Sequence, residues 1–290
     1  MVGRQVLAQC RARGINVRAA SRRKPAERGA GLTWRRYDLE TWKSDAELSR
    51  IFPDVGAIVH AGAAIPGHGS AISDDAMMRA NVQSCLNLGQ WALRRSIPMV
   101  FLSSASVYAE PWRRNITETA ARGPNTIAGH YGLTKRLAET ALEEMARDGL
   151  ALTVLRPSSV YGPGIPAQKM IPHFLRILAG GGTVELAPPL GDRHNLIAAS
   201  DVAAACLAAL SRGATGTFNV GAQSSVSVRE IARACRKAVG CGKIVERGGK
   251  AERRAVARFD LDSAKAQRAF GFVPQVDLVG GLAELARAGV

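Results

Sequence analysis

The chain has no run of about 18 uncharged apolar residues, so no segment reads as a membrane span. Its opening, MVGRQVLAQCRARG, is broken by Arg4, Gln5, Gln9, Arg11 and Arg13. That pattern suits an amphipathic helix and not the unbroken apolar stretch of a signal peptide. A cytoplasmic protein is expected. The five cysteines are odd in number and form no CxxC pair, which argues against a disulfide framework and a zinc site and leaves no metal expected. Reduced, mostly buried thiols follow. No internal repeat and no low-complexity tract is present. Net charge is +15, but the basic residues are scattered, from Arg22, Arg23, Lys24 and Arg28 to Arg253 and Arg254. Aromatics make up only 5% and do not interleave with the cations. A stacking platform for nucleic acid therefore has no basis. No specific nucleic-acid partner and no membrane partner is expected, although loose polyanion binding fits the charge.

What is present is a core. The 290 residues are 47% hydrophobic, enough for one large α/β unit or a cofactor domain with a smaller lobe. Helices are expected at 3–13, 45–52, 73–95 (Ser73 as N-cap) and 128–148, with Gly14 and Gly149 as stops. Strands are expected at 15–20, 56–61, 99–103 and 150–155. Strands that are apolar throughout and alternate with helices predict a doubly wound, mostly parallel sheet covered on both faces. After about residue 160 the rhythm shortens around YGPGIP, AGGG and APPLGD. Helices are expected at 168–178, 201–211, 227–238 and 277–287, and a strand at 217–220. The expected division is a dinucleotide-binding domain over 1–160 and a substrate lobe over 161–290, interleaved with the end of the sheet.

One pair carries chemistry. Tyr131 and Lys135 are spaced i, i+4 within an expected helix, which puts both side chains on one face. A phenol has pKa ~10, and a neighbouring ammonium is expected to lower it until the group serves as acid and base near neutral pH. Alone, such a pair is equally an ordinary surface pair. Upstream, FLSSASVY (101–108) runs an apolar strand into small hydroxyl residues. Ligands bind outside the carboxyl ends of strands in this architecture, so Ser104 is placed to hold a substrate oxygen. The competing reading is a serine in a strand-end turn.

FLSSASVY, HYGLTK and LRPSSVYGPG, in that order, resemble the extended short-chain dehydrogenase/reductase family, which includes the NAD-dependent epimerases and dehydratases. Similar segments run over nearly the whole chain: VHAGAA (59–64), NVQSCLNL (81–88), NLIAASDVAAA (195–205), TFNVG (217–221), VSVREIA (226–232) and GFVPQVDLVGGL (271–282). The resemblance implies that Ser104, Tyr131 and Lys135 are catalytic and that Lys135 also holds the nicotinamide ribose. It implies a cofactor site built from Asp38 and Leu39 near the adenine, Ala61, Gly62 and Ala63 along one wall, Asn81, and Pro157 with Ser158 near the nicotinamide. It places Ser106 and Ser159 on the substrate side. Nucleotide-sugar members often carry Asn in place of Ser159 and Arg in place of His194, with the adjacent Arg193 able to substitute. His194 reads equally as a loop histidine. Lys169, His173 and Arg176 face either the pocket or solvent.

The fingerprint of a dinucleotide fold is a strand followed by a glycine-rich turn. Here the first residues resemble the helix after that turn, with Gly3 matching the last glycine; the first strand and the earlier glycines are missing. Two readings stand: a start displaced by roughly a dozen residues, which is preferred, or a degenerate member that binds cofactor poorly. Where NAD-binding chains carry Asp or Glu at the end of the second strand, this one has Ser21 and Arg22. A guanidinium there suits a 2′-phosphate, so NADP is preferred to NAD. The activity implied is hydride transfer at a carbinol or carbonyl carbon of a nucleotide sugar. The alternatives are an NADP-dependent reductase of a small carbonyl compound and a non-catalytic member. A homodimer through helices 73–95 and 128–148 is also implied, with Met77, Met78, Cys85, Leu88, Leu137, Leu142 and Met145 either as interface residues or as core residues facing the sheet.

Overall fold

The computed structural model describes residues 1–24, 30–66, 72–125, 127–190, 192–249 and 258–289. Arg28, Arg253 and Arg254 lie outside the described residues. Helix α1 (Val2–Ala12) turns Val6 and Cys10 inward and ends before Gly14, whose φ of 66° no side chain obstructs. Strands β1 (Val17–Ser21) and β2 (Leu32–Arg36) follow. Next comes α2 (Asp45–Ile51), started by a capping box of Ser44 and Glu47, then β3 (Ile58–His60). The expected helix 73–95 is three pieces: α3 (Asp74–Met78), capped by Ser73 as anticipated, a π-helical turn at Arg79–Gln83, and α4 (Ser84–Arg94). Strand β4 (Met99–Leu102), a 3₁₀ turn at Ala105–Val107, α5 (Gly129–Arg147) and β5 (Leu152–Pro157) complete the first part.

The later residues form β6 (Ser159–Tyr161), α6 (Met170–Ala179), β7 (Thr183–Leu186), β8 (Arg193–His194), β9 (Leu196–Ala198) and α7 (Ala199–Ser211). They continue with β10 (Gly216–Val220), β11 (Val226–Ser227), α8 (Val228–Val239), β12 (Lys243–Glu246), α9 (Ala264–Phe270) and α10 (Leu278–Arg287). The sheet order β10-β5-β4-β3 is parallel throughout, so β10 returns from the later half of the chain to lie beside β5. A separate parallel pair, β1-β2, stands apart from these four. Three further two-stranded pairs are β6-β9, β7-β12 and β8-β11.

Burial explains the layers. Every residue of β4 and β5 is buried, as strands covered on both faces must be. One core joins α1 and α7 to one face through Val6, Val100, Leu155, Val202 and Phe218. A second joins α4 and α5 to the other through Leu88, Trp91, Phe101, Leu142 and Val154. Of the two readings of the apolar residues on these helices, Met77, Cys85, Leu88, Leu142 and Met145 follow the core one, at most 8% exposed, whereas Leu137 is 39% exposed. Cys10, Cys85, Cys206 and Cys235 are buried free thiols and Cys241 is exposed. No helix among the described residues is long and apolar enough to cross a membrane. No group of three metal-ligating side chains among them could hold a metal ion.

Candidate active site

Ala61 follows β3, Ser104 closely follows β4 and Ser158 follows β5, so these candidates lie at the carboxyl ends of neighbouring parallel strands. Ser104 follows β4 in extended conformation and caps the 3₁₀ turn, its hydroxyl accepting from the Ser106 amide at 3.1 Å. The two hydroxyl oxygens lie 2.6 Å apart. Asn125 holds this turn against α5: its Nδ2 donates to the carbonyls of Ser106 (3.0 Å) and Tyr108 (2.8 Å), while its Oδ1 accepts from the Ala128 amide just ahead of the helix. Sequence reading missed Asn125; an amide side chain ahead of a helix start was the available signal. Gly132 permits the close approach, because a Cβ there would stand 2.8 Å from the Ser106 carbonyl oxygen.

Tyr131 and Lys135 project from α5 as their spacing predicts. The Tyr131 phenol lies within hydrogen-bonding reach of the Ser104 hydroxyl. Lys135 is 2% exposed, and one of its three donors reaches the Leu102 carbonyl at 2.8 Å, tying the helix to the end of β4. Its ammonium lies 4.7 Å from the Phe101 ring centroid and 5.9 Å from that of Tyr131. The expected effect on Tyr131 is reversed: burial pushes the phenol up to about 12, and the Ser104 hydrogen bond opposes that only in part. Burial also lowers the Lys135 ammonium, against the pull of Cys85 and Glu139.

Asn81 sits in the π-helical turn, 1% exposed. Its Oδ1 accepts from the Ala64 amide at 2.7 Å, and its Nδ2 donates to the Ala64 carbonyl (2.9 Å) and the Thr134 hydroxyl (3.1 Å). Both amide hydrogens are thus engaged, and Asn81 fastens the 61–64 segment to α5. Its neighbours along that segment are close: a Cβ on Gly62 would stand 2.9 Å from Leu39, and one on Gly3 3.9 Å from Ala61. Gly3 and Leu39 therefore both lie against the 61–62 segment. Asp38 accepts from the Glu40 amide at 3.1 Å. At the end of β1 the Ser21 hydroxyl donates to the Arg23 carbonyl and accepts from the Trp34 indole. Arg22 is exposed and lies 3.6 Å from the Glu40 carboxylate.

On the other side, Pro157 ends β5 and is buried. The Ser158 amide donates to the Val220 carbonyl, but among the described residues its buried hydroxyl has no partner, and neither has that of Ser103. Two orphaned hydroxyls at adjacent strand ends fit a polar group arriving from outside the chain. The Ser159 amide donates to the Asn195 carbonyl, which brings Ser159 beside the start of β9. Arg193 is engaged: Nε donates to the Ser225 hydroxyl at 3.2 Å, Nη2 to the Ser225 carbonyl, and Nη1 lies 3.4 Å from Glu230. Burial lowers the pKa of His194. Lys169, His173 and Arg176 are exposed on α6, the solvated face that their spacing allowed.

The model of the NAD dependent epimerase/dehydratase family matches residues 1–221. The dTDP-glucose 4,6-dehydratase of Streptomyces griseus is 29% identical over 250 residues, 82% of this chain and 73% of that protein. A solved structure of MoeE5 in complex with UDP-glucuronic acid and NAD superimposes with a TM-score of 0.82 at 27% identity, covering 99% of this chain and 95% of the other. The UDP-N-acetylglucosamine 4-epimerase of Bacillus cereus shares the fold, with a TM-score of 0.81 at 21% identity over 99% of this chain and 95% of its own.

Proposed function

Since the chain belongs to the NAD-dependent epimerase/dehydratase family, we propose that it oxidises and reduces a carbinol carbon of a nucleotide-linked sugar, with Tyr131 as general acid and base. The observation that carries this reading is the convergence of the Ser104 hydroxyl, the Tyr131 phenol and the Lys135 ammonium at the end of β4. A nicotinamide cofactor, when bound, would supply the hydride acceptor and donor. Around it the chain's own groups handle the proton. Ser104 holds the substrate hydroxyl; Tyr131 in its phenolate form, its charge offset by the Lys135 ammonium 5.9 Å from its ring centroid, takes the proton on oxidation and as the phenol returns it on reduction; Ser106 supports Ser104 through the 2.6 Å contact. Lys135 keeps donors for ribose hydroxyls after its bond to Leu102. Ser158, with its unpartnered hydroxyl, and Pro157 would hold the nicotinamide end of the cofactor, and Leu39 and Gly62 its adenosine end.

NAD is the cofactor these groups favour. Ser21 and Arg22 alone suggest NADP, but Glu40 faces Arg22 at 3.6 Å and would repel a 2′-phosphate. The nucleotide-sugar substrate is supported by the 29% identical dehydratase and by the UDP-glucuronic acid bound to MoeE5. Through Leu133 and Leu137, exposed on α5, the chain pairs with a second copy, and light scattering at micromolar concentration that gives a monomer mass removes that part.

The test is an assay with NAD and UDP- or dTDP-linked hexoses, following the sugar by NMR. It uses the 290-residue chain and a version carrying a strand and glycine turn fused ahead of Met1. Tyr131→Phe should leave NADH affinity intact and lower turnover at least ~100-fold, the scale of general acid–base loss. Unchanged turnover would overturn the role of Tyr131. Turnover of small carbonyls alone, or no nicotinamide binding by either version, would overturn the sugar reading.

A further inference from the structure

A buried polar network lies beneath the site. Tyr131, Lys135 and Glu139 follow one another at i, i+4 and i+8 along one face of α5. Glu139 is fully buried, and Arg156, 2% exposed, grips it in parallel: Nε to Oε1 at 2.9 Å and Nη2 to Oε2 at 2.7 Å. The Nη1 of Arg156 donates to the Tyr108 hydroxyl (3.1 Å) and the Glu118 carbonyl (3.2 Å). Tyr108 in turn donates to Oδ1 of Asn219 at 2.6 Å. Asn219 lies on β10 and donates to the carbonyls of Ile116 and Asp262. Arg122 adds an outer cation, bridging Glu139 and Glu143.

Placing two charges in a core costs several kcal/mol per ion, and a hydrophobic pair of the same volume often stabilises as well or better. Stability alone is thus a poor reason for this pair, and its connections give a better one. Tyr108 directly follows the turn that begins at Ser104; Glu139 is one helical turn beyond Lys135; Arg156 directly precedes Pro157. We propose that the Tyr108–Arg156–Glu139 latch positions the Ser104 turn against the Tyr131 helix and so sets the distance over which the proton moves. Tyr108, Arg156 and Glu139 are positioning residues that touch neither substrate nor cofactor. The proposal rests on the reading of Tyr131 as the acid–base residue.

Tyr108→Phe tests it, because the ring stays and only the hydroxyl between Arg156 and Asn219 goes. Turnover is normalised to sites counted by NADH binding, so an unfolded fraction does not register. The expected result is a kcat about tenfold lower, with KM and NADH affinity within about twofold of the parent, as for an interaction realised only in the transition state. In a Tyr131→Phe background the same change should cost nothing further, because both act through one proton transfer. An unchanged kcat, a loss shared equally by KM and NADH affinity, or the same tenfold loss in both backgrounds would overturn the latch alone. A Tyr131→Phe enzyme with full turnover would remove the functional reading itself, and the latch with it.

Discussion

His60, 5% exposed at the end of β3, stacks on Phe101 and meets only a 3.4 Å contact to the Ser84 hydroxyl. Burial, with Lys135 nearby, lowers its pKa to about 3. The unfolded chain binds a proton there near pH 6.5, and the folded chain does not until about pH 3. Stability contributed by neutral His60 is therefore full above pH 6.5 and is lost as pH falls toward 3, at up to ~1.4 kcal/mol per pH unit. Urea midpoints measured across that range should fall less steeply for His60→Asn; identical slopes would refute the effect. The same residue scale marks the limit of sequence reading. The spacing of Tyr131 and Lys135 was legible because i and i+4 are local. The direction of the Tyr131 shift was not, since burial is supplied by segments far away in the chain. The Arg156–Glu139 pair escaped notice for the same reason, as nothing in either residue's neighbourhood announces the other.

Among the elements, α5, β4 and β5 were legible because long periodic or continuous apolar runs outweigh local ambiguity. The short pairs β6-β9 and β7-β12 were not, because strands of three or four residues exist only through their partners. The π-helical turn at Arg79–Gln83 was hidden for a subtler reason: widening one turn barely alters an amphipathic pattern. Its effect on function is direct, since it carries Asn81 to Ala64 and Thr134. Asn81→Ala leaves both backbone groups of Ala64 without their partner, an expected cost of about 2–4 kcal/mol. Urea unfolding should show that loss, and NADH titration a weaker Kd, because the 61–64 wall is no longer fastened. A full-affinity variant would mean that the wall holds its shape unaided.

For the whole molecule, the doubly wound plan was legible from the alternation of elements, and β1-β2 stand apart from the other four strands. These two pieces differ in burial: β4 and β5 are wholly enclosed, while β1 and β2 have no fully buried residue. Amide exchange should therefore be graded, with Val17–Ser21 opening well below the global unfolding free energy and Leu152–Pro157 only near it. If the strand end at Ser21 receives the adenosine, ligand added in excess raises protection in Val17–Ser21 first, by mass action on that local opening. The dinucleotide then acts as a fastener as well as a reactant. How tightly one end of the sheet is closed would report the cofactor level around the enzyme.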